Sequence, residues 1–205
     1  MVADSYHDQN GVLHNLLGIT DARSLRKAEY AIARRNAPEA IGHLRNADPL
    51  DLNALCAAHR IVFADVYRWA GKTRKVPLFK GDSEFAPPDK INTAWMDALM
   101  DGFGRAARKE PERFRRHLAE LWGRMTWLHP FPEGNGRLTQ LFISEVARRH
   151  GKAIDWSRID PIDERNAGID AVRGRFGLYD TLLIGPMTAI THVAGAQQPW
   201  ITREE

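Results

Sequence analysis

At 205 residues, 43% hydrophobic and 27% charged, the chain has the composition of an ordinary water-soluble globular protein and the length of a single domain. No apolar run approaches the roughly 20 residues a membrane span needs, and a net charge of +3 is too mild to mark a nucleic-acid binder. The single cysteine, Cys56, excludes an internal disulfide framework and offers no metal cluster.

The opening residues carry neither the basic nor the apolar part of a signal peptide, so the expected compartment is the cytoplasm; secretion without a cleaved signal stays open. Residues 1–20 read as irregular, with Asn10-Gly11 and Gly18 as turn signals. Thr20 or Asp21 can cap a helix that carries Leu25, Ala28 and Ile32 on one face. Asp48-Pro49 reads as the cap and first turn of a second helix. That helix shows Leu52, Leu55, His59, Val62, Phe63 and Val66 at helical spacing. His59 lies on the apolar face, so it is expected to be a core histidine with its hydrogen bonds satisfied.

Tyr67 to Arg74 leaves this helix for a short extended region. Val76, Leu78 and Phe79 precede a Lys80-Gly81-Asp82-Ser83 turn, Phe85 and Ala86 follow it, and Pro87-Pro88 stops the pattern. This predicts a small β-hairpin, either a surface ornament or an edge that accepts a peptide by strand addition. A helix from about Asp89 should bury Ile91, Trp95, Leu99 and Phe103. The basic run from Arg105 to Arg116 contains Glu110 and Glu112 and reads as a solvated face, not a nucleic-acid site. A further helix from near Pro111 carries Phe114, Leu118, Leu121, Met125 and Leu128, a clean amphipathic stripe that runs into His129. Beyond it, Leu138, Leu141, Phe142 and Val146 form the buried face of another helix. Asp160-Pro161 starts the next, and Tyr179 to Val193 reads as a last apolar helix. Only the hairpin is expected to be β, so the fold class is all-α. One domain is expected over 1–205, with a core at about 6–193 and a loose tail at 196–205.

His129 to Arg137 reads His-Pro-Phe-Pro-Glu-Gly-Asn-Gly-Arg and concentrates the chemistry. Imidazole titrates near neutrality, so His129 is a candidate general base. Glu133 supplies a hard oxygen ligand of the kind Mg²⁺ takes alongside phosphates. Gly134 and Gly136 let backbone N–H groups approach an anion at the start of a helix, where the dipole also favours negative charge. Asn135 adds an amide donor and Arg137 a forked cation. Arg137 lies in the first helical turn, which is unfavourable for a cation unless a ligand or a carboxylate pairs with it. Pro130 and Phe131 are expected to anchor the loop. The set suits phosphoryl or nucleotidyl transfer.

This stretch resembles the signature of Fic-domain proteins, His-x-Phe-x-Asp/Glu-Gly-Asn-Gly-Arg-x-x-Arg, at His129, Phe131, Glu133, Gly134, Asn135, Gly136 and Arg137. It departs at the last position, where Gln140 replaces the second arginine. The Tyr6 to Ile19 passage and Trp69-Ala70-Gly71 with Arg74 also resemble that family, and the likeness extends over roughly residues 6 to 190. The resemblance implies a Fic-type helical domain with a hairpin flap. It also implies transfer of AMP from ATP to a Ser, Thr or Tyr hydroxyl of a target protein, while charge and hydropathy give no role to nucleic acid or membrane.

By that resemblance His129 would be the base, Glu133 the Mg²⁺ ligand, and Gly134, Asn135, Gly136 and Arg137 the phosphate cradle. Position 140 would reach the γ-phosphate, where Gln140 offers a hydrogen bond without charge. The flap residues Val76, Pro77, Leu78, Phe79, Lys80, Gly81 and Phe85 would hold the target backbone. No Ser or Thr is followed by the family's inhibitory x-x-x-Glu-Gly/Asn pattern. A small antitoxin supplying a glutamate in trans is therefore implied, together with a toxin or effector role, although Gln140 would offer that glutamate no arginine. Two alternatives stand beside this reading. One is a phosphotransferase or other nucleotidyltransferase with a different donor; the other is a silent nucleotide- or protein-binding module.

Overall fold

Asp21 accepts a hydrogen bond from the Ser24 N–H (2.7 Å) and so starts helix α1, Ala22–Asn46. The computed structural model describes residues 6–81 and 83–190. Ahead of α1, the Asn15 side chain accepts from the Leu17 and Ile19 N–H groups and donates to the Leu13 and Ile19 carbonyls. The lead-in is thereby pinned as an ordered loop, and the Leu16 N–H joins it to the Val66 carbonyl at 2.8 Å. The buried stripe of α1 is Leu25, Glu29, Ala33, Ala37, Ala40 and Leu44. Leu25 was expected there, whereas Ala28 and Ile32 are only half-buried. Small residues carry the stripe because α2 packs closely against it.

Helix α2 spans Leu52–Phe63 and is capped by Asp51, which accepts from the Ala54 N–H at 2.8 Å. The expected Asp48-Pro49 cap is therefore wrong: that pair, joined by a cis peptide bond, lies in the preceding turn. Leu52, Leu55, His59, Val62 and Phe63 are buried along α2, and Val66 just beyond it.

The hairpin is present but short. Strand β1, Phe79–Lys80, pairs antiparallel with β2, Ser83–Glu84, in the register Phe79 to Glu84 and Lys80 to Ser83. A 3-10 turn at Pro88–Lys90 follows, and α3 runs Thr93–Lys109 from an Asn92 cap, not from Asp89. Its buried residues are Met96, Phe103 and Ala107; Trp95 and Leu99 are partly buried. Helix α4, Phe114–Leu128, follows a 3-10 turn at Pro111–Arg113 and buries all five expected stripe residues. It is the central strut, contacted by α3, by α5 (Asn135–Arg149), by α6 (Pro161–Val172) and by α7 (Gly177–Leu182). Trp122 on α4 stacks on Tyr179 of α7 at 4.0 Å and meets Trp156 edge-on at 4.9 Å. Asp160 caps α6 with Pro161 in its first turn, as expected.

The end of the chain differs from expectation. Helix α7 stops at Leu182, Gly185-Pro186 breaks the apolar run, and β4 (Met187–Ala189) pairs antiparallel with β3 (Lys152–Ile154). A second small strand pair therefore joins the hairpin in an otherwise all-helical domain. Val193 and residues 196–205 lie outside the described residues.

Arg74 connects these parts. Its guanidinium donates to the carbonyls of Val76 (2.9 Å), Ala86, Leu128 (3.3 Å) and His129 (2.8 Å), and its N–H donates to the Pro130 carbonyl at 2.8 Å. The flap stems are thus tied to the end of α4. Replacing Arg74 by Met should cost about 3 kcal/mol in urea unfolding, because several buried carbonyls lose their donors. Arg74→Lys should recover only part, since an ammonium offers three donors from one point. A Met variant as stable as wild type would remove Arg74 from this role.

Candidate active site

Helix α4 ends at His129 in a left-handed conformation, φ 43°, and this sharp turn sends the chain into the motif loop. The loop is braced on three sides. Asn135 accepts from the Phe131 N–H (2.9 Å) and donates to the Phe131 carbonyl (2.7 Å). From α2, His59 Nε2 donates to the Glu133 carbonyl at 3.1 Å, and Nδ1 accepts from the Gly71 N–H at 3.0 Å. The His59 ring stacks on Phe131 at 3.8 Å. His59 is thus the satisfied core histidine expected, and burial lowers its pKa to about 3. Gly134, φ 82°, is required as glycine twice over, because a Cβ there would lie 2.4 Å from the Phe63 ring.

At the opposite end of the loop, His129 Nδ1 lies 3.1 Å from the Thr126 carbonyl. A carbonyl can only accept, so Nδ1 carries the proton and Nε2 carries the lone pair. The Phe85 ring stacks on the imidazole at 3.9 Å. Burial holds the His129 pKa down to about 3, with the Lys80 ammonium of the flap adding to the effect. The ring is therefore neutral in the free protein at ordinary pH, as a base must be.

Helix α5 opens at Asn135 with no side-chain cap on its first N–H groups. The Glu133 carboxylate accepts from the Gly134 N–H at 2.7 Å, which shows that this terminus attracts negative charge. Gly136 is exposed, with open space where a Cβ would be. Arg137 is held by Glu29 of α1, whose other oxygen accepts from the Tyr67 hydroxyl. It also lies 3.7 Å from Glu133 and 4.8 Å above the Phe63 ring. Burial, and then the adjacent Glu29 charge, raise the Tyr67 pKa. A cavity of about 480 Å³ opens beside Glu133 and Arg137, walled by Leu13, Leu25, Glu29 and Tyr67.

Comparison with known proteins identifies this architecture. The model of the Fic/DOC family matches residues 49–147. The probable protein adenylyltransferase Fic of Salmonella typhimurium is 34% identical over 152 residues, 72% of this chain and 74% of that protein. The chain belongs to the Fic/DOC family. The protein adenylyltransferase VbhT of Bartonella schoenbuchensis is 33% identical over 92% of this chain, which spans only 40% of the length of VbhT. Among solved structures, BepC of Bartonella tribocorum with bound AMPPNP superposes at a TM-score of 0.70 with 18% identity, covering 91% of this chain and 97% of that one. A Fic domain from Bartonella quintana with bound ADP also gives 0.70, at 21% identity, over 90% of this chain and 94% of that one. At such identities these structures establish the shared fold.

Within this Fic domain, Glu133, Gly134 and Gly136 lie at the start of α5, and His129 lies across the motif loop at the end of α4. Four of the expected site residues have partners or cover within the chain. Asn135 is 4% exposed and spends its side-chain amide on Phe131, so only its backbone N–H can serve a phosphate. Arg137 donates through one guanidinium nitrogen to Glu29, the partner carboxylate that a cation in this helical turn calls for. The Gln140 amide nitrogen donates to the Glu164 carboxylate, lying 2.8 and 3.0 Å from its two oxygens. Phe85 is 7% exposed and stacks against His129. Of the other flap residues, Phe79 is 59% exposed, Pro77, Lys80 and Gly81 are exposed, and Val76 and Leu78 are half-buried.

Sequence reasoning missed Glu29, Tyr67, Thr126 and Glu164. Glu29 had a signal, since an acidic residue four on from Leu25 interrupts an apolar stripe and calls for a buried cation. The other three had none.

The two depressed histidines make stability depend on pH. Between their ordinary 6.5 and their folded value of about 3, the unfolded chain binds protons that the folded chain refuses. Their contribution is present above pH 6.5 and is lost as the pH falls toward 3. Urea midpoints should therefore drop between pH 7.5 and 4.5, and His129→Asn should flatten that slope by up to one proton. An unchanged slope would mean that His129 is not held neutral.

Proposed function

We propose that this chain is a protein adenylyltransferase that moves AMP from ATP onto a Ser, Thr or Tyr hydroxyl of a target protein. The observation that carries this reading is the neutral His129, whose Nδ1–H is fixed on the Thr126 carbonyl, within the same loop as the uncapped N–H groups of α5. In the transfer, Nε2 takes the hydroxyl proton while the hydroxyl oxygen bonds to the α-phosphorus. The bond from that phosphorus to the β-phosphate bridging oxygen breaks, and pyrophosphate leaves with the electron pair. The N–H groups of Asn135 and Gly136 hold phosphate oxygens through the α5 dipole. Phe85 and Arg74 keep the imidazole and the α4 terminus in place.

Glu133 is the residue that would hold Mg²⁺. Its side chain is 39% exposed, and no group of three or more potential metal-binding side chains occurs among the described residues. A lone carboxylate completed by phosphates and water is the donor set Mg²⁺ accepts, and the ion supplies charge neutralisation when it arrives with the nucleotide. The names of VbhT and the Salmonella relative support adenylyl transfer, as do the nucleotides bound to BepC and the Bartonella quintana domain.

The flap is the proposed docking edge for the target. Among the described residues β1 pairs only with β2, and the Phe79 side chain stands out beside an open strand edge. A toxin or effector role, and an antitoxin acting in trans, fit the lack of an inhibitory pattern in the sequence. A second reading, another phosphate donor, draws on the occupied Gln140 amide.

Incubation with Mg²⁺, a cell lysate and ATP labelled at either the α- or the γ-phosphate separates the readings. Label is expected to enter protein from the α-position and to vanish in His129→Ala. Entry from the γ-position would replace adenylyl transfer with phosphorylation. No entry from either would favour a different donor or a silent binding module.

A further inference from the structure

Two carboxylates compete for Arg137. Glu133 precedes it by four residues, the spacing at which a glutamate and a cation pair by default along a helix. The pair does not close: the Arg137 nitrogen lies 3.7 Å from Glu133, beyond hydrogen-bond reach, because the same nitrogen donates to Glu29. Glu29 prevails from α1, far away in sequence, because it is held from behind. Its second oxygen accepts from the Tyr67 hydroxyl, and the buried Tyr67 ring stacks on Trp69 at 4.3 Å. Beneath the guanidinium, the Phe63 ring closes another side at 4.8 Å. Glu133 is much more exposed than Glu29, and its carboxylate accepts from the Gly134 N–H.

We propose that Glu29 is a positioning residue which, with Tyr67, anchors Arg137 off Glu133 and so leaves that carboxylate open to a divalent cation. The proposal rests on the nucleotide-binding reading and on Glu133 as the residue that would hold Mg²⁺. A simpler role exists for Glu29, as a tie between α1 and α5. Such a tie is strongest as a fork, with two parallel N–H bonds from the guanidinium to both oxygens of one carboxylate. The pair here is built otherwise. Glu29 divides its oxygens between two donors, and Arg137 approaches it through a single nitrogen. That arrangement fixes where the cation stands at the expense of the strength of the bond. Released from Glu29, the guanidinium has the local i,i+4 partner within easy reach. Closed onto Glu133, it would occupy a carboxylate oxygen and oppose a divalent ion by its charge.

The test is calorimetric titration of the full chain with ATP, with and without Mg²⁺, and the quantity read is the gain in affinity that Mg²⁺ brings. Wild type should show a gain. Glu29→Gln and Glu29→Asp should each cut it by about tenfold, the second because aspartate keeps the charge but falls one methylene short. Tyr67→Phe, which changes no charge, should cut it less and in the same direction. Glu29→Gln combined with Arg137→Met should restore the gain, even though ATP binds more weakly overall. A pair that only ties two helices would lower urea midpoints in these variants and leave the gain untouched. The proposal is overturned if folded Glu29→Asp keeps the wild-type gain, which would make charge and not position the cause, or if the double variant fails to restore it. An unchanged gain in Tyr67→Phe also overturns it, and that variant decides alone should the Glu29 changes not fold. Wild type that binds ATP with no gain from Mg²⁺ removes the role of Glu133 and this proposal with it. Absence of ATP binding by folded wild type overturns the nucleotide reading itself.

Discussion

Arg74 is 1% exposed, and the acceptors of its guanidinium are the carbonyls of Val76, Ala86, Leu128 and His129. Burying a guanidinium is costly unless its N–H groups are all spent, and four charge-assisted contacts offset that cost. Burial shows in a lowered pKa. Two of those carbonyls belong to the last turn of α4, where helical partners run out and the dipole favours a cation. The same side chain therefore caps α4 and holds both stems of the flap. The hairpin itself has only two residues per strand, far too few to stand alone in water. Its position over His129 depends on Arg74 and on the Ala86 N–H bond to the Trp127 carbonyl at 2.9 Å.

A second constraint acts on the loop between α4 and α5. His129 takes a left-handed backbone that costs a non-glycine residue about 1–2 kcal/mol. Such strain persists only where the surroundings over-determine it, and here they do. Asn135 locks Phe131 from within the loop, His59 grips the Glu133 carbonyl from α2, and the Phe63 ring fills the space beside Gly134. A loop so held needs little rearrangement to present its N–H groups. That is the condition under which fixed dipoles stabilise developing charge.

How much of this was legible in the sequence follows from how local each feature is. The α4 stripe could be read because α4 is packed on several sides by large residues at helical spacing. The α1 stripe was harder, since Ala33, Ala37 and Ala40 are as ordinary on a surface as in a close helix contact. Asp48-Pro49 and Asp51 satisfy the same capping rule, and only the Ala54 N–H bond distinguishes them. The break at Gly185-Pro186 was a visible signal outweighed by the apolar run around it, while the β3–β4 pairing is non-local and leaves no pattern. In the site, the residues adjacent in sequence, 129 to 137, could be read as a group. The uses to which Asn135, Arg137 and Gln140 are put could not, because Phe131 is a fold-back contact and Glu29 and Glu164 arrive from other helices.

The two long-range partners, Glu29 and Glu164, change what surrounds the start of α5. Glu29 and Glu133 flank Arg137, and Glu164 accepts from the Gln140 amide, so these polar side chains are engaged within the chain. Backbone N–H groups aligned by α5 favour an anion at its start, and the Lys80 charge on the flap acts on His129. Dipoles of this sort are fixed in place and discriminate by geometry, whereas a free arginine would draw any nearby anion. The Lys80 charge is carried on the flap, whose stems are tethered through Arg74. Lys80 and Phe85 lie on the same flap, so a shift of the hairpin would move the cation near the base and the cover on the base together.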